Sequence, residues 1–250
     1  MKHFFTLLKH ELRTILLSPA TYLATFFFLI IMGLVYQFVL EGYNKEPQEM
    51  LPSNIFLNAF YIPVVFLVPL LTMRSIAEER RRGLMDSLLT TPITSIELVA
   101  SKFFAAYLLY VGLYGLTLAF PAITYYFFPD DRILDKASLI GGYSFICISG
   151  LLFTSIGILA SSVTRSQLIA GIFSFTLLFG LLFGENALGG IAGGYMDRFF
   201  LIGSFLDYIQ ISGHVEDFSR GVIDTRPIIF YLSSTMVMLS IAVLAVDHKR

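Results

Sequence analysis

Six long apolar runs without a charged residue recur along the chain. The first extends from residue 19 to residue 40, and as an α-helix its 22 residues are about 33 Å long, enough to cross the hydrocarbon core of a bilayer. A charge at the centre of such a helix costs about 2.5–3.5 kcal/mol on insertion scales, so its absence from all six runs indicates membrane-spanning helices. The predicted spans are residues 19–40, 55–73, 103–128, 138–163, 166–184 and 227–246.

Residues 3–17 have helical periodicity of a different kind, with one apolar face and one basic face. Phe4, Leu8 and Leu12 share the apolar face, while Lys9 and Arg13 lie opposite. We expect an interfacial amphipathic helix that lies along the membrane surface. A cleaved signal peptide is the alternative, but the apolar run after the first basic residues is too long and has no small-residue cleavage site.

The connection before the last span, residues 185–226, is long and mixed in character. It combines a glycine-rich stretch with more apolar residues than a free loop carries, so we expect an extracytoplasmic helical insertion whose short helices dip into the outer leaflet. Asp224 or Thr225 is expected to cap the last span, with Pro227 in its first turn. Proline is also expected to kink the second and third spans, at Pro63, Pro69 and Pro121. Gly180 and Gly184 form a small-xxx-small pattern, for which we favour packing within the chain over a dimer contact.

One dense charge cluster lies between the second and third predicted spans. It comprises Glu78, Glu79, Arg80, Arg81 and Arg82, and Gly83 follows it. Acid before base at three- and four-residue spacing is typical of a solvated helix end. Each such pair contributes only a few tenths of a kcal/mol, so charge pairing alone does not account for the cluster.

A short apolar helix is predicted directly after this cluster. Leu84 and Leu88 fall on one helical face, Met85 and Leu89 lie beside them, and Pro92 ends the segment. The Thr-Ser-Ile-Glu sequence at residues 94–97 is a capping box that opens the next helix. Residues 78–92 therefore form one segment, which we interpret as a cytoplasmic docking surface for a soluble partner.

The alternative for residues 78–92 is a basic juxtamembrane loop that sets the topology and contacts lipid headgroups. A loop that needs only positive charge has no use for Leu84, Leu88 and Leu89, which favours docking. The basic residues also define the topology: eleven of the 17 fall on the side of the chain termini, although the loops on the other side are longer. Both termini are therefore expected to be cytoplasmic.

The composition is that of an integral membrane protein and excludes an ordinary soluble domain. The mean hydropathy is +0.76, and 56% of residues are hydrophobic against 14% charged. The formal net charge of −1 gives no sign of a nucleic-acid partner, and none is expected. Cys147 is the single cysteine, so the chain can form neither an intrachain disulfide nor a thiolate metal cluster.

The motifs of catalysis and nucleotide binding are absent from the sequence. No lysine follows a glycine, so there is no G-x-x-x-x-G-K-[ST] loop, and neither G-x-S-x-G nor H-E-x-x-H occurs. His214, Glu216 and Asp217 are not spaced to place three metal ligands on one helical face. We therefore expect no catalytic residue, cofactor or metal in this chain, which is not an enzyme by itself. An intramembrane enzyme is disfavoured because the spans lack polar catalytic groups.

Three stretches resemble the ABC-2 class of transporter permeases, and the resemblance covers nearly the whole chain. They are residues 67–83, residues 88–92 together with Lys102, and residues 218–226. The last stretch is most similar to the gliding-motility-type branch, which includes permeases of the nitrous-oxide-reductase maturation type. The chain departs from that pattern at Pro227, where such permeases often carry an acidic residue.

The resemblance implies that residues 84–91 are the coupling helix, which sits in a cleft of an ATPase subunit. By this resemblance Leu84, Met85, Leu88 and Leu89 fill the cleft, Glu78, Glu79 and Arg80–Arg82 line its rim, and Gly83 and Pro92 set the angles. It also implies two copies of the ATPase, which hold the ATP and Mg²⁺, and a second permease copy or a paralogous permease. The location implied is the bacterial inner membrane, in contact with membrane lipid.

The function that we expect is that of the transmembrane permease subunit of an ABC exporter. Nucleotide-driven closure of the ATPases would push the coupling helices and open the pathway outward. The alternative is a membrane-anchoring subunit of an ABC complex that performs mechanical or maturation work, such as gliding or assembly of secretion machinery, with no solute crossing. Uncharged spans suit a lipid-like or amphipathic cargo.

Overall fold

A computed structural model describes residues 4–45, 51–81, 83, 94–127, 136–192, 211–222 and 224–248, and in these ranges the chain is all-helical, with no strand. The helices are α1 (Phe4–Leu16), α2 (Pro19–Lys45), α3 (Pro52–Asn58), α4 (Tyr61–Thr72), α5 (Ala77–Arg81), α6 (Ser95–Thr117), α7 (Ala119–Phe127), α8 (Lys136–Val163), α9 (Gln167–Ala192), α10 (Ile211–Ser219) and α11 (Thr225–Asp247).

Among the described residues, six helical segments are long and apolar enough to cross a membrane, as the sequence predicts. They cover Pro19–Tyr43, Tyr61–Arg81, Ser95–Phe127, Ala137–Val163, Gln167–Gly184 and Thr225–Asp247. We call the end of the bundle where α1 lies, and where α2 and α6 begin, the α1 end. At that end the third spanning helix begins at Ser95, eight residues before the predicted span, because the helix that the capping box starts runs directly into the span.

Two of the three prolines coincide with breaks in the helices. Proline cannot donate to the carbonyl four residues before it and its ring clashes with that carbonyl. The carbonyl four residues before Pro63 belongs to Ala59, which lies in the turn between α3 and α4. The carbonyl four residues before Pro121 belongs to Thr117, the last residue of α6. Pro69, in contrast, lies inside α4, which continues to Thr72.

Helix α8 is the centre of the bundle and contacts α3, α4, α6, α9, α10 and α11. In its spanning window 72% of the residues are buried, against 17% in that of α11, so the described part of the chain leaves most of the α11 surface uncovered. Glycines let α8 approach its neighbours closely: a Cβ on Gly150 would overlap the ring of Tyr110, and one on Gly157 would overlap Thr72. Substitution at these contacts therefore requires a shift of packed helices.

Gly180 and Gly184 on α9 differ from this pattern. No heavy atom of a described residue lies within 4 Å of a Cβ built at either position. The contact within the chain that we favoured for these two glycines is therefore not present in the described part of the fold.

In the region before the last span, α9 extends to Ala192. Residues 193–210 lie outside the described ranges, and α10 is the next described element. Helix α10 packs against α8 and α3. Gly221, with φ of +80°, follows it in a left-handed conformation that suits glycine. Asp224 then caps α11 by accepting a hydrogen bond from the backbone N–H of Arg226 at 3.0 Å, which confirms the predicted cap.

Candidate functional site

The five-residue helix α5 carries most of the predicted charge cluster, and its amino end is fixed by a side chain from another helix. The backbone N–H groups of Ile76 and Ala77 donate to the hydroxyl oxygen of Ser161 on α8, at 3.0 and 3.1 Å. Ser161 is fully buried. The first N–H groups of a helix lack partners within the helix, so this hydroxyl acts as a cap supplied from a distant part of the chain.

A buried lysine holds α5 against two further helices. Nζ of Lys102, on α6, lies 2.7 Å from Oε1 of Glu11 on α1 and 2.6 Å from Oε1 of Glu79 on α5. The Lys102 side chain is 2% exposed, and those of Glu11 and Glu79 are 17% and 21% exposed. A buried ammonium group is tolerated when it is paired and hydrogen-bonded, and two carboxylates meet that need here. We call Glu11, Glu79 and Lys102 the Lys102 triad.

Arg80 connects α5 to the ends of two other helices. Its guanidinium donates to the carbonyl oxygen of Ser162, near the end of α8. It also donates to the carbonyl oxygen of Ala245, near the end of α11, at 2.9 Å. The last carbonyls of a helix lack internal partners and carry the negative end of the helix dipole, so a cation is favourable at this place.

The predicted capping box at the start of α6 is confirmed. The Thr94 hydroxyl accepts a hydrogen bond from the Glu97 N–H at 3.2 Å, and the Glu97 carboxylate accepts one from the Thr94 N–H at 3.4 Å. Ser95 is tied in turn to α11, because its hydroxyl donates to the Asp247 carboxylate. The two described elements that flank residues 84–93 are therefore both anchored in the bundle.

The structure describes some of the predicted site residues and not others. Glu79 and Arg80 are bound within the chain as given above, Glu78 is half-buried, and Arg81 is exposed. Gly83 is exposed with φ of +69°, a left-handed conformation that favours glycine. The remaining predicted residues lie outside the described ranges: Arg82, Leu84, Met85, Leu88, Leu89 and Pro92.

The prediction of a solvated charge cluster is wrong for Glu79 and Arg80. The Glu79 carboxylate is bound by Lys102, and the Arg80 guanidinium is bound by two backbone carbonyls. Their contribution to the rim of a partner's cleft stays a prediction, since these contacts do not involve a partner.

Sequence reasoning missed three residues that build this site: Glu11, Ser161 and Asp247. The sequence contained an indication of one contact, the pairing of Glu11 with Lys102. Glu11 is the one acid in α1, and Lys102 is the one charged residue between Glu97 and Asp130. Isolated opposite charges on otherwise apolar or basic helices are candidates for pairing. Ser161 had no such signal, because serine is common in membrane helices.

Metal binding finds no support in the described ranges, where no group of three or more His, Cys, Asp or Glu side chains is placed to hold an ion. The charged groups at the α1 end instead join helices to one another. Through Glu79, Arg80 and Ser161, α5 is connected to α1, α6, α8 and α11.

The chain was compared with models of known protein families. A family model described as ABC-2 family transporter protein matches residues 5–246, which is nearly the whole chain. No curated protein matches the sequence.

Proposed function

Because the chain belongs to the ABC-2 family of transporter proteins, we propose that it is the permease subunit of an ABC exporter driven by a separate ATPase. The family match covers residues 5–246 and the fold provides six membrane-spanning helices, both of which such a subunit requires. The chain carries no phosphate-binding loop, so ATP and Mg²⁺ belong to the partner.

The attachment of α5 is the observation that supports coupling through residues 78–92. The segment between Gly83 and Thr94 connects the end of α5 to the capping box at the start of α6. A push on this segment is transmitted to α1 and α6 by the Lys102 triad and to the ends of α8 and α11 by Arg80. A docking element with these attachments moves several helices together, whereas a loop without them would absorb the motion itself.

Within residues 78–92 the apolar side chains have the docking role. Leu84, Met85, Leu88 and Leu89 are proposed to fill a groove on the ATPase. Full burial of one such side chain contributes about 1.5–3 kcal/mol, so a few of them suffice for a stable complex. Arg81 is exposed and lies at the rim, where a charge contributes less.

The assembly that we propose contains two permeases and two ATPases, since six helices line half of a pathway. The second permease is another copy or a paralogue. Following the distribution of basic residues, both termini and residues 78–92 face the cytoplasm of a bacterial inner membrane.

A lipid-like or amphipathic cargo is the proposed substrate class. The six apolar runs of the sequence contain no charged residue. In the described parts of the spans, hydroxyl groups pair with one another, Tyr36 with Thr124 and Thr117 with Tyr143. Such an interior suits a cargo with a small polar group and a large apolar part.

The test is capture of the ATPase by tagged permease in the native host. Leu88→Asp places a carboxylate in the apolar groove and should reduce the captured ATPase at least tenfold, because burial is lost and a charge is desolvated. Arg81→Ala, the control in the same segment, should retain most of it and should mainly change the salt dependence. The captured protein must contain a G-x-x-x-x-G-K-[ST] loop.

The melting temperature of the isolated permease separates docking from folding. It should be the same for the wild type and Leu88→Asp. Retention of the ATPase by Leu88→Asp, or a large drop in its melting temperature, would contradict the docking role. Equal losses from both variants would show a contact that depends on charge alone.

A further inference from the structure

One side of α1 carries cations and apolar side chains that are exposed, and nothing in the proposed transport cycle uses them. Lys9 and Arg13 are exposed, and neither forms an ion pair with a described residue. Four positions separate them, so they are neighbours on one helical face. Phe5 is 73% exposed and Leu16 is 49% exposed on the adjoining part of the helix. We call Phe5, Lys9, Arg13 and Leu16 the outer face of α1.

Two contacts with α6 fix the direction in which this face points. The ring of Phe4 meets the ring of Phe104 edge-on, with the ring centroids 5.9 Å apart. Further along α1, the Glu11 carboxylate lies 2.7 Å from Nζ of Lys102. Phe4 and Glu11 are about two helical turns apart and lie on the same side of α1, so together they prevent rotation of the helix about its axis. The two cations of the outer face therefore stay on the opposite side, away from α6.

The outer face has cations without a carboxylate on the same helix. Glu11 is the one acid of α1, and it is bound by Lys102 on the inner side. Lys9 and Arg13 line the same hollow of the surface, so one ligand can reach both. Two neighbouring cations of this kind attract an anion from outside the chain and can donate charge-assisted hydrogen bonds to it.

The outer face lies at the edge of the apolar layer. Only residues 17 and 18 separate α1 from α2, which begins the first span. Phe104, against which α1 packs, lies at the start of the third uncharged run. A helix at this depth places exposed apolar side chains among the acyl chains and long basic side chains beside the lipid phosphates. Both kinds of side chain are present on the outer face.

We propose that the outer face of α1 binds an anionic membrane phospholipid, for example phosphatidylglycerol, in preference to a zwitterionic one. Lys9 and Arg13 contact the phosphate, and Phe5 and Leu16 lie beside the acyl chains. The phosphate of phosphatidylcholine is offset by the quaternary ammonium of its own headgroup, which the two cations repel, whereas phosphatidylglycerol carries no positive charge. This inference needs only the membrane location of the chain and does not rest on export or on an ATPase.

The absence of tryptophan from the sequence allows a local test. Phe5→Trp introduces a single tryptophan on the outer face of α1. The full chain is reconstituted in vesicles with equal amounts of phosphatidylglycerol and phosphatidylcholine, and in each sample the acyl chains of one of the two lipids are brominated. A brominated chain quenches the tryptophan only when it lies beside it. Quenching therefore reports which lipid occupies this position, and a free phosphate ion gives no signal.

The expected result is a preference for phosphatidylglycerol at this position. A basic residue near an anionic lipid contributes about a fivefold preference, so two should give at least about tenfold, equivalent to about 1.4 kcal/mol. Phe38→Trp is the control for position, because Phe38 is 71% exposed and lies towards the other end of α2. The preference there should be below about threefold, since the two cations are distant.

Variants made in the Phe5→Trp chain assign the preference to the two cations. Lys9→Gln combined with Arg13→Gln should lower it to below about threefold. Arg81→Gln combined with Arg165→Gln removes the same charge from two other exposed positions at the α1 end and should leave it unchanged. Arg13→Lys keeps the charge and should keep the preference. Because Lys9 and Arg13 are exposed, the melting temperature should not change in any of these variants.

Equal quenching by the two lipids in Phe5→Trp overturns the proposal, and this comparison does not depend on the folding of the other variants. An equal preference in Phe38→Trp shows a property of the whole protein and overturns the site. An unchanged preference in Lys9→Gln with Arg13→Gln, or an equal loss in Arg81→Gln with Arg165→Gln, overturns the role of the two cations. If Lys9→Gln with Arg13→Gln keeps the lipid preference but loses the ATPase, the outer face binds a protein instead.

Discussion

Replacement of Lys102 by methionine removes the cation that lies between two carboxylates at the α1 end. The Oε1 atoms of Glu11 and Glu79 lie 2.7 and 2.6 Å from the same nitrogen, so they are at most 5.3 Å apart. With an effective dielectric constant of about 20, two charges at that distance repel each other by about 3 kcal/mol. Loss of one partner from a buried ion pair costs a similar amount, about 3–5 kcal/mol. We therefore expect Lys102→Met to lower the free energy of unfolding by about 3 kcal/mol.

The assay is thermal unfolding of the purified chain in detergent. For a chain of this length, a change of 1 kcal/mol shifts the melting temperature by about 2–4 °C, so Lys102→Met should melt roughly 6–12 °C below the wild type. Lys9→Met makes the same substitution at an exposed lysine of α1 and should melt within a few degrees of the wild type. The addition of Glu11→Gln to Lys102→Met removes the repulsion and should recover part of the loss.

The double variant gives a direct test of the physical argument. If Glu11→Gln and Lys102→Met act on one ion pair, the loss in the double variant is smaller than the sum of the single losses by at least about 1 kcal/mol. Additive effects would show that Lys102 contributes through its alkyl chain alone. A Lys102→Met protein that melts like Lys9→Met would show that the Lys102 triad does not stabilise the fold.

Three further outcomes are expected. Gly150→Ala should destabilise the fold by about 1–3 kcal/mol because its methyl overlaps Tyr110, whereas Gly115→Ala, where no described atom lies within 4 Å, should be neutral or stabilising. Equal melting temperatures would contradict the close packing of α8. Cysteines introduced at Glu46 and His214 in a cysteine-free background should label with an impermeant reagent in intact cells, and failure at both sites would reverse the topology. The purified permease should show no ATPase activity, since it lacks a phosphate-binding loop, and robust turnover in the absence of a partner would contradict the proposed subunit role.

The parts of the fold that the sequence predicts are those with local causes. Six spanning helices follow from the exclusion of charge from runs of sufficient length, a rule that holds irrespective of packing. The capping box at Thr94 and the cap at Asp224 involve residues two or three positions apart, so the residue types alone identify them. The breaks near Pro63 and Pro121 follow from a missing N–H group four residues downstream of a carbonyl.

The contacts that build the α1 end depend instead on helix packing. Lys102 meets Glu11 and Glu79 across sequence separations of 91 and 23 residues. Periodicity places each charge on a face of its own helix but does not say which helix that face meets. The acceptors of Arg80 are backbone carbonyls, which every residue has, so no residue type indicates them. For the same reason, the glycine pattern at Gly180 and Gly184 could not tell a contact within the chain from one outside it.

The charges at the carboxyl end of the second span differ in what each side chain contacts. Arg80 reaches two helix ends of its own chain, while its neighbour Arg81 is exposed. If α5 transmits motion, Arg80→Ala should leave ATPase capture intact, since the apolar docking residues are unchanged. In the wild type, a cysteine introduced at His214 should be labelled at different rates in ATP-trapped and nucleotide-free complexes, and Arg80→Ala should abolish that difference. Arg81→Ala should preserve that difference. If the labelling rate in the Arg80→Ala complex still changes with ATP, the contacts of Arg80 serve stability alone. If Arg80→Ala loses as much ATPase as Leu88→Asp, Arg80 belongs to the docking surface itself.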